Sequence, residues 1–271
     1  MSAGGSIASG FFTSTAAGIL AGLLVPPFAD LGRFFFAFNA ALAFGSLCLA
    51  TPFRPGPLAM LADPGHRAGG LASLAAAAAL LLVIAFVTAL YRPHAGSGRG
   101  LLAAAAVAAL LATGADGWRA AAGGAGWIFA ASALSAAALL GSVIVAMNLG
   151  HWYLVRSRLS VSHLVRLARL LAWAVGLRAA IVAAAVLSAA AASPLGVAGF
   201  LRGMSVDRAM FFWPRVIFGI LGPAVLAYMV CETARLRSTQ SATGILYIAV
   251  IFVLMGEFLA RYLTVAEGVA L

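Results

Sequence analysis

Two sets of polar residues in this chain are spaced so that they could do chemistry, and the first is ionic. Arg178 stands in the middle of the apolar stretch 163–192, and Glu257 lies well inside the stretch 241–266. A guanidinium keeps its proton even in hydrocarbon, so an arginine at that depth requires a counter-charge or water. Arg178 lies twelve residues beyond Arg166 and Glu257 sixteen beyond Ser241, which at the helical rise is about 18 Å and about 24 Å from the same membrane face. The difference is less than a long side chain reaches. The spacing therefore predicts an Arg178–Glu257 pair between two helices, with Arg261 one turn beyond Glu257 as a second cation on the same face. Such a group either ties helices together or serves a proton path or a bound ligand.

The second set gathers where apolar stretches meet one membrane face. It comprises Asn148-Leu149-Gly150-His151-Trp152-Tyr153, Glu232 near the end of 209–234, and Ser238-Thr239-Gln240-Ser241 leading into 241–266. These residues supply an imidazole, a carboxylate, aromatic walls and hydrogen-bond donors at one depth. That inventory suits a quinone head group, whose carbonyls accept hydrogen bonds and whose oxidation or reduction needs a proton carrier. On this reading His151 and Glu232 move protons, while Asn148, Trp152, Tyr153, Thr239 and Gln240 bind the ring. The plainer uses are interfacial anchoring by Trp152 and Tyr153 and helix capping by the Ser/Thr run. Haem is not expected, because a bis-histidine site needs two histidines at matching depth within spans. His66, His94 and His163 fall in loops or at helix ends, and only His151 closes a span. Cys48 and Cys231 lie in apolar stretches without ligand spacing, so no metal site is expected either.

The elements that position these residues follow from composition. The chain has 271 residues, 64% hydrophobic and 9% charged, with a mean hydropathy of +1.07, and its apolar runs reach bilayer-spanning length. It reads as a single all-α, multi-pass membrane domain over residues 1–271. Eight spans are expected, at residues 6–28, 32–51, 69–91, 100–114, 124–150, 163–192, 209–234 and 241–266. The fourth is short for a crossing and is either extended through Trp118 or re-entrant; a crossing keeps the arginine asymmetry consistent. No basic segment precedes residues 6–28, which read as a retained span rather than a cleaved signal.

All 17 basic residues are arginines and the formal charge is +10. They flank apolar runs in short loops, so membrane orientation explains them and nucleic acid does not. With the N-terminus outside, nine loop arginines fall on the cytoplasmic side and six, Arg215 among them, on the other. Both termini are thus expected on the non-cytoplasmic face. Gly18 and Gly22 form a small-xxx-small packing face, and Gly222-Pro223 should kink the seventh span. Trp118, Trp127, Phe200, Phe211, Phe212 and Trp213 form an aromatic belt at the outer interface, where the proline-rich turn 52–67 could dock a partner.

Gly150-His151-Trp152-Tyr153-Leu154-Val155 and Arg237-Ser238-Thr239-Gln240-Ser241-Ala242-Thr243-Gly244-Ile245-Leu246-Tyr247, running on to Gly256-Glu257, resemble motifs of bacterial eight-span membrane proteins. More distantly, the span count and outside termini are similar to quinone-interacting membrane anchors of the NrfD and dimethyl-sulfoxide-reductase type. The resemblance assigns no quinone-site residue. It implies a bacterial inner-membrane location, a quinone cofactor, and iron–sulfur or cytochrome partner subunits that carry the metals, with lipid around the bundle. The alternatives are a small-solute or ion transporter with Arg178 and Glu257 at a midplane site, and a structural scaffold subunit.

Overall fold

The computed structural model describes residues 3–54, 56, 67–92, 98–121, 126–156 and 159–270. Most of the proline-rich turn, His66, His94 and Arg158 lie outside the described residues. Every regular element among those described is helical: α1 (Ala3–Gly22), α2 (Phe28–Leu31), α3 (Arg33–Ala50), α4 (Arg67–Leu90), α5 (Gly98–Ala120), α6 (Gly126–Val155), α7 (Ser162–Ala192), α8 (Gly196–Arg202), α9 (Ala209–Val216), α10 (Gly222–Arg235) and α11 (Thr239–Glu267). Unbroken Ala, Leu, Val and Ile favour helix wherever the backbone cannot bond to water. The breaks fall where that pattern fails. Pro26-Pro27 follows α1, Gly32 (φ 76°) separates α2 from α3, and Gly268 (φ 66°) closes α11 in the left-handed conformation.

Seven helical segments are long and apolar enough to cross a membrane. Leu81, Leu111, Leu187, Met210 and Ile251 on their outer faces are each more than 60% exposed, a surface that suits lipid and not water. This is an all-α, multi-pass membrane protein. The short fourth stretch becomes the 23-residue α5, long enough for a crossing. α1 has 20 residues but falls outside the seven, since Gly, Ser and Thr dilute it. It sits inside the bundle against α3, α5, α6 and α11, where a helix has no need to be greasy.

Cross-helix contacts fix relative directions. Gly18 meets Gly141 and Gly22 meets Val145, so α1 and α6 run parallel. Gly150 touches Thr243 at one end of the bundle, while Arg178 from α7 bridges Ser132 on α6 and Glu257 on α11 nearer the other. α6 and α11 are therefore antiparallel, and α7 runs with α11. Twenty of the 30 residues of α6 are buried, which makes it the central post. Its Ala, Gly and Ser let backbones approach closely: a Cβ on Gly141 would overlap the Gly18 backbone.

The seventh stretch is broken by one unusual turn. Pro223 has no N–H to give the Gly219 carbonyl, and residues Ile217–Leu221 widen into a π-turn in which the Gly222 N–H bonds back to Ile217. The Gly219 backbone then packs on that of Gly256. Counting Arg215 among the outer loop arginines requires correction. It closes α9 inside the bundle and is 1% exposed, because the π-turn and the glycine contact draw it against α11.

Candidate functional site

At one end of the bundle an apolar cavity of about 390 Å³ is lined by Phe34, Phe35 and Phe38 of α3, Met147, Asn148, His151, Trp152 and Val155 of α6, and Tyr247 of α11. The 3.6-residue period puts Asn148, His151, Trp152 and Val155 on one face of α6. Trp152 stacks on Phe34 with ring centroids 5.6 Å apart and planes 13° from parallel. The Arg156 guanidinium lies 5.8 Å from the Trp152 ring. The indole N–H of Trp152 is buried and has no hydrogen-bond partner among the described residues.

The polar groups of this cavity are held from behind. Asn148 Nδ2 donates to Asn39 Oδ1 at 2.7 Å, and Asn39 Nδ2 donates to the Phe35 carbonyl at 2.9 Å. The relay fixes the Asn148 carboxamide and leaves it a second N–H. Tyr247 Oη and His151 Nδ1 lie 3.0 Å apart, which orients the exposed imidazole with Nε2 available. Gly150 permits the approach of α11, since a Cβ there would lie 2.8 Å from Thr243 Oγ1.

Of the residues singled out for the quinone site, the structure brings Asn148, His151 and Trp152 together. Tyr153 points to the opposite side of α6 and donates to the Ser160 carbonyl. Glu232 pairs with Arg235 at 2.7 Å at the end of α10, away from the cavity wall. Thr239 gives its carbonyl to Thr243 Oγ1 and Gln240 is exposed; neither lines the cavity. Asn39, Phe34, Phe35, Phe38 and Tyr247 were not singled out for this site. Tyr247 carried a signal, standing two helical turns beyond Gln240, but the α3 residues carried none that links them to α6.

The first, ionic set forms a buried cluster. Arg178 Nε and Nη2 donate to the two carboxylate oxygens of Glu257 at 2.9 and 2.8 Å, and Nη1 reaches Ser132 Oγ at 2.8 Å and Ser135 Oγ at 3.3 Å. The two side chains are 2% and 1% exposed, and the paired geometry is the strongest arrangement open to an arginine and a carboxylate. The second cation on Glu257 is Arg215, at 3.4 Å. Arg261 turns to α1 instead and donates to Ser14 Oγ at 2.5 Å.

A third group lies beyond this cluster, at the end opposite His151. Arg54, after α3, donates to Asp116 of α5 at 2.5 Å and to Thr13 of α1 at 2.8 Å, and Arg119 lies 3.6 Å from Asp116. His163 of α7 meets Asp30 at 3.0 Å back at the His151 end. Comparison with protein-family models, curated proteins and solved structures returns no match to this chain.

Proposed function

We propose that this chain is an integral subunit of a bacterial inner-membrane electron-transfer complex and that the cavity around His151 takes a quinone or quinol head group. The observation that carries the reading is the cavity itself: about 390 Å³, walled by aromatic rings and bearing Asn148 and His151. Apolar walls with a few convergent polar groups are what a flat, lipophilic ring with two carbonyls requires. A bound quinone would supply two-electron chemistry coupled to protons.

The residues of the chain divide that work. The stacked Trp152 and Phe34 give the ring an aromatic wall, and the free Asn148 N–H donates to a carbonyl oxygen. His151 serves both directions of proton movement. With the Tyr247 hydroxyl donating to Nδ1, the imidazole carries its proton on Nε2 and can give it up. With Nδ1–H donating to Tyr247, Nε2 accepts one. The cavity belongs to the end that also carries Arg33, Arg99 and Arg156, which the excess of positive charge assigns to the cytoplasm.

In this reading α1 is an eighth span and both termini lie on the non-cytoplasmic face. The seven apolar helices and the parallel course of α1 and α6 support it. Iron–sulfur or cytochrome subunits would carry electrons to or from the quinone. The test is to purify the protein from native membranes, extract bound lipid and measure quinone per chain, together with copurifying redox subunits. Stoichiometric quinone that falls at least about tenfold in His151→Phe and Trp152→Phe supports the reading. No quinone, or equal quinone in all three proteins, refutes it.

A further inference from the structure

Three arginines and no carboxylate stand among the described residues that line one further cavity, of about 390 Å³. It lies between the start of α3, the end of α4 and the start of α5, at the same end of the bundle as His151, and its wall includes Phe28, Arg33, Leu90, Arg92, Gly98 and Arg99. None of its lining residues lines the cavity beside His151. Arg99 Nη2 donates to the Leu24 carbonyl at 3.2 Å, and the Arg33 guanidinium lies 5.2 Å from the centre of the Tyr91 ring. Neither contact supplies a counter-ion. Among the described residues, no ion pair joins Arg33, Arg92 or Arg99 to a carboxylate. Asp30, the nearest acid in sequence to Arg33, meets His163 instead, and residues 93–97, which connect Arg92 to Gly98, contain no Asp or Glu.

This placement runs against the helix dipole. Arg33 is the first residue of α3 and Arg99 the second of α5, so both cations stand at helix N-termini, where backbone N–H groups already concentrate positive charge and an anion is favoured. Neither first turn carries an acidic residue. The positive-inside preference accounts for arginines on this side of the membrane, but it does not require three of them around one cavity at two helix N-termini. An anion seated among them removes the conflict.

What borders the cavity selects the anion. Leu81, Ile84, Thr88 and Tyr91 are spaced as one face of α4 and all four are exposed. From Leu81 to Tyr91 that stripe runs about 15 Å, the depth of hydrocarbon in one leaflet. Tyr91, with Arg33 over its ring, ends the stripe at the polar boundary. We infer that the cavity binds the phosphate head group of an anionic phospholipid, with Arg33, Arg92 and Arg99 as its ligands and an acyl chain along the α4 stripe. Occupancy of this site is independent of quinone in the cavity beside His151.

The test uses the full chain in phosphatidylcholine nanodiscs with increasing phosphatidylglycerol, and thermal unfolding as the readout. The site predicts a rise in Tm that saturates at a low mole fraction of phosphatidylglycerol. Arg33→Gln combined with Arg92→Gln changes two exposed side chains and should weaken the apparent affinity at least about tenfold. Arg166→Gln combined with Arg169→Gln takes equal charge from the same side of the bundle, at α7, and should leave the affinity within about twofold. A Cβ on Gly98 meets nothing within 4 Å, so Gly98→Glu brings a carboxylate to the arginines at a helix position that favours one. That variant should raise Tm in pure phosphatidylcholine and abolish the response to phosphatidylglycerol, even if the Arg33 and Arg92 double variant fails to fold. Inorganic phosphate is the competing occupant. A Tm that rises with inorganic phosphate and not with phosphatidylglycerol, a response to phosphatidylglycerol that is absent or never saturates, an undiminished response in Gly98→Glu, or equal weakening in the two double variants overturns the inference.

Discussion

Glu257→Gln keeps the shape of the side chain and removes the charge that Arg178 and Arg215 share, at 2% and 1% exposure. Breaking a buried ion pair by losing one partner costs about 3–5 kcal/mol. The glutamine carbonyl can still accept one of the two Arg178 bonds, which puts the expected loss near the lower end, about 3 kcal/mol. Arg178→Met should cost less, because Glu257 retains Arg215 at 3.4 Å. Arg215→Met removes a charge without hydrogen bonds among the described residues and leaves the paired Arg178–Glu257 contacts whole, so it should fall within about 1 kcal/mol of wild type or above it. The assay is reversible unfolding in mixed micelles across the three variants. An order other than Glu257→Gln, then Arg178→Met, then Arg215→Met, or a Glu257→Gln loss below about 1 kcal/mol, would refute the claim that one carboxylate holds two arginines.

Gly141→Leu should destabilise by at least about 3 kcal/mol in the same assay, since any Cβ there overlaps the Gly18 backbone. Gly176→Ala, with nothing within 4 Å of the added carbon, should be neutral or up to about 1 kcal/mol stabilising. Asp116→Asn deprives Arg54, whose side chain is 7% exposed, of its carboxylate; a loss of about 2–3 kcal/mol is expected, and none should follow if the contact is idle. Reporter fusions at the two termini should both read non-cytoplasmic, and opposite readings would show that α1 does not cross.

The helical stretches were legible because bilayer thickness forces long apolar runs, and the ionic pairing of Arg178 with Glu257 because helical rise converts spacing into depth. Arg215 was not legible. Its neighbour Trp213 belongs by sequence to the aromatic belt of the outer interface, and only the π-turn before Pro223, packed on Gly256, brings Arg215 inward. Arg261 was assigned to Glu257 by its one-turn spacing, but the actual direction of its side chain depends on how α1 packs, and Ser14 captures it. In the cavity beside His151 the α6 face could be read from the spacing of Asn148, His151 and Trp152. The three phenylalanines of α3 and the relay through Asn39 could not, since no periodicity within one helix says which neighbour it meets. Thr239 and Gln240 share the depth of His151 but not its cavity. Depth is readable along a helix and azimuth between helices is not.

The proposed quinone site on α6 stands or falls on binding. Tryptophan fluorescence of the nanodisc-embedded protein should be quenched saturably by a short-chain quinone. His151→Phe should raise the apparent Kd about tenfold or more, and Trp152→Phe should remove most of the quenching. Linear quenching of equal slope in all three proteins would mean that quinone only partitions into the lipid, and would contradict the account.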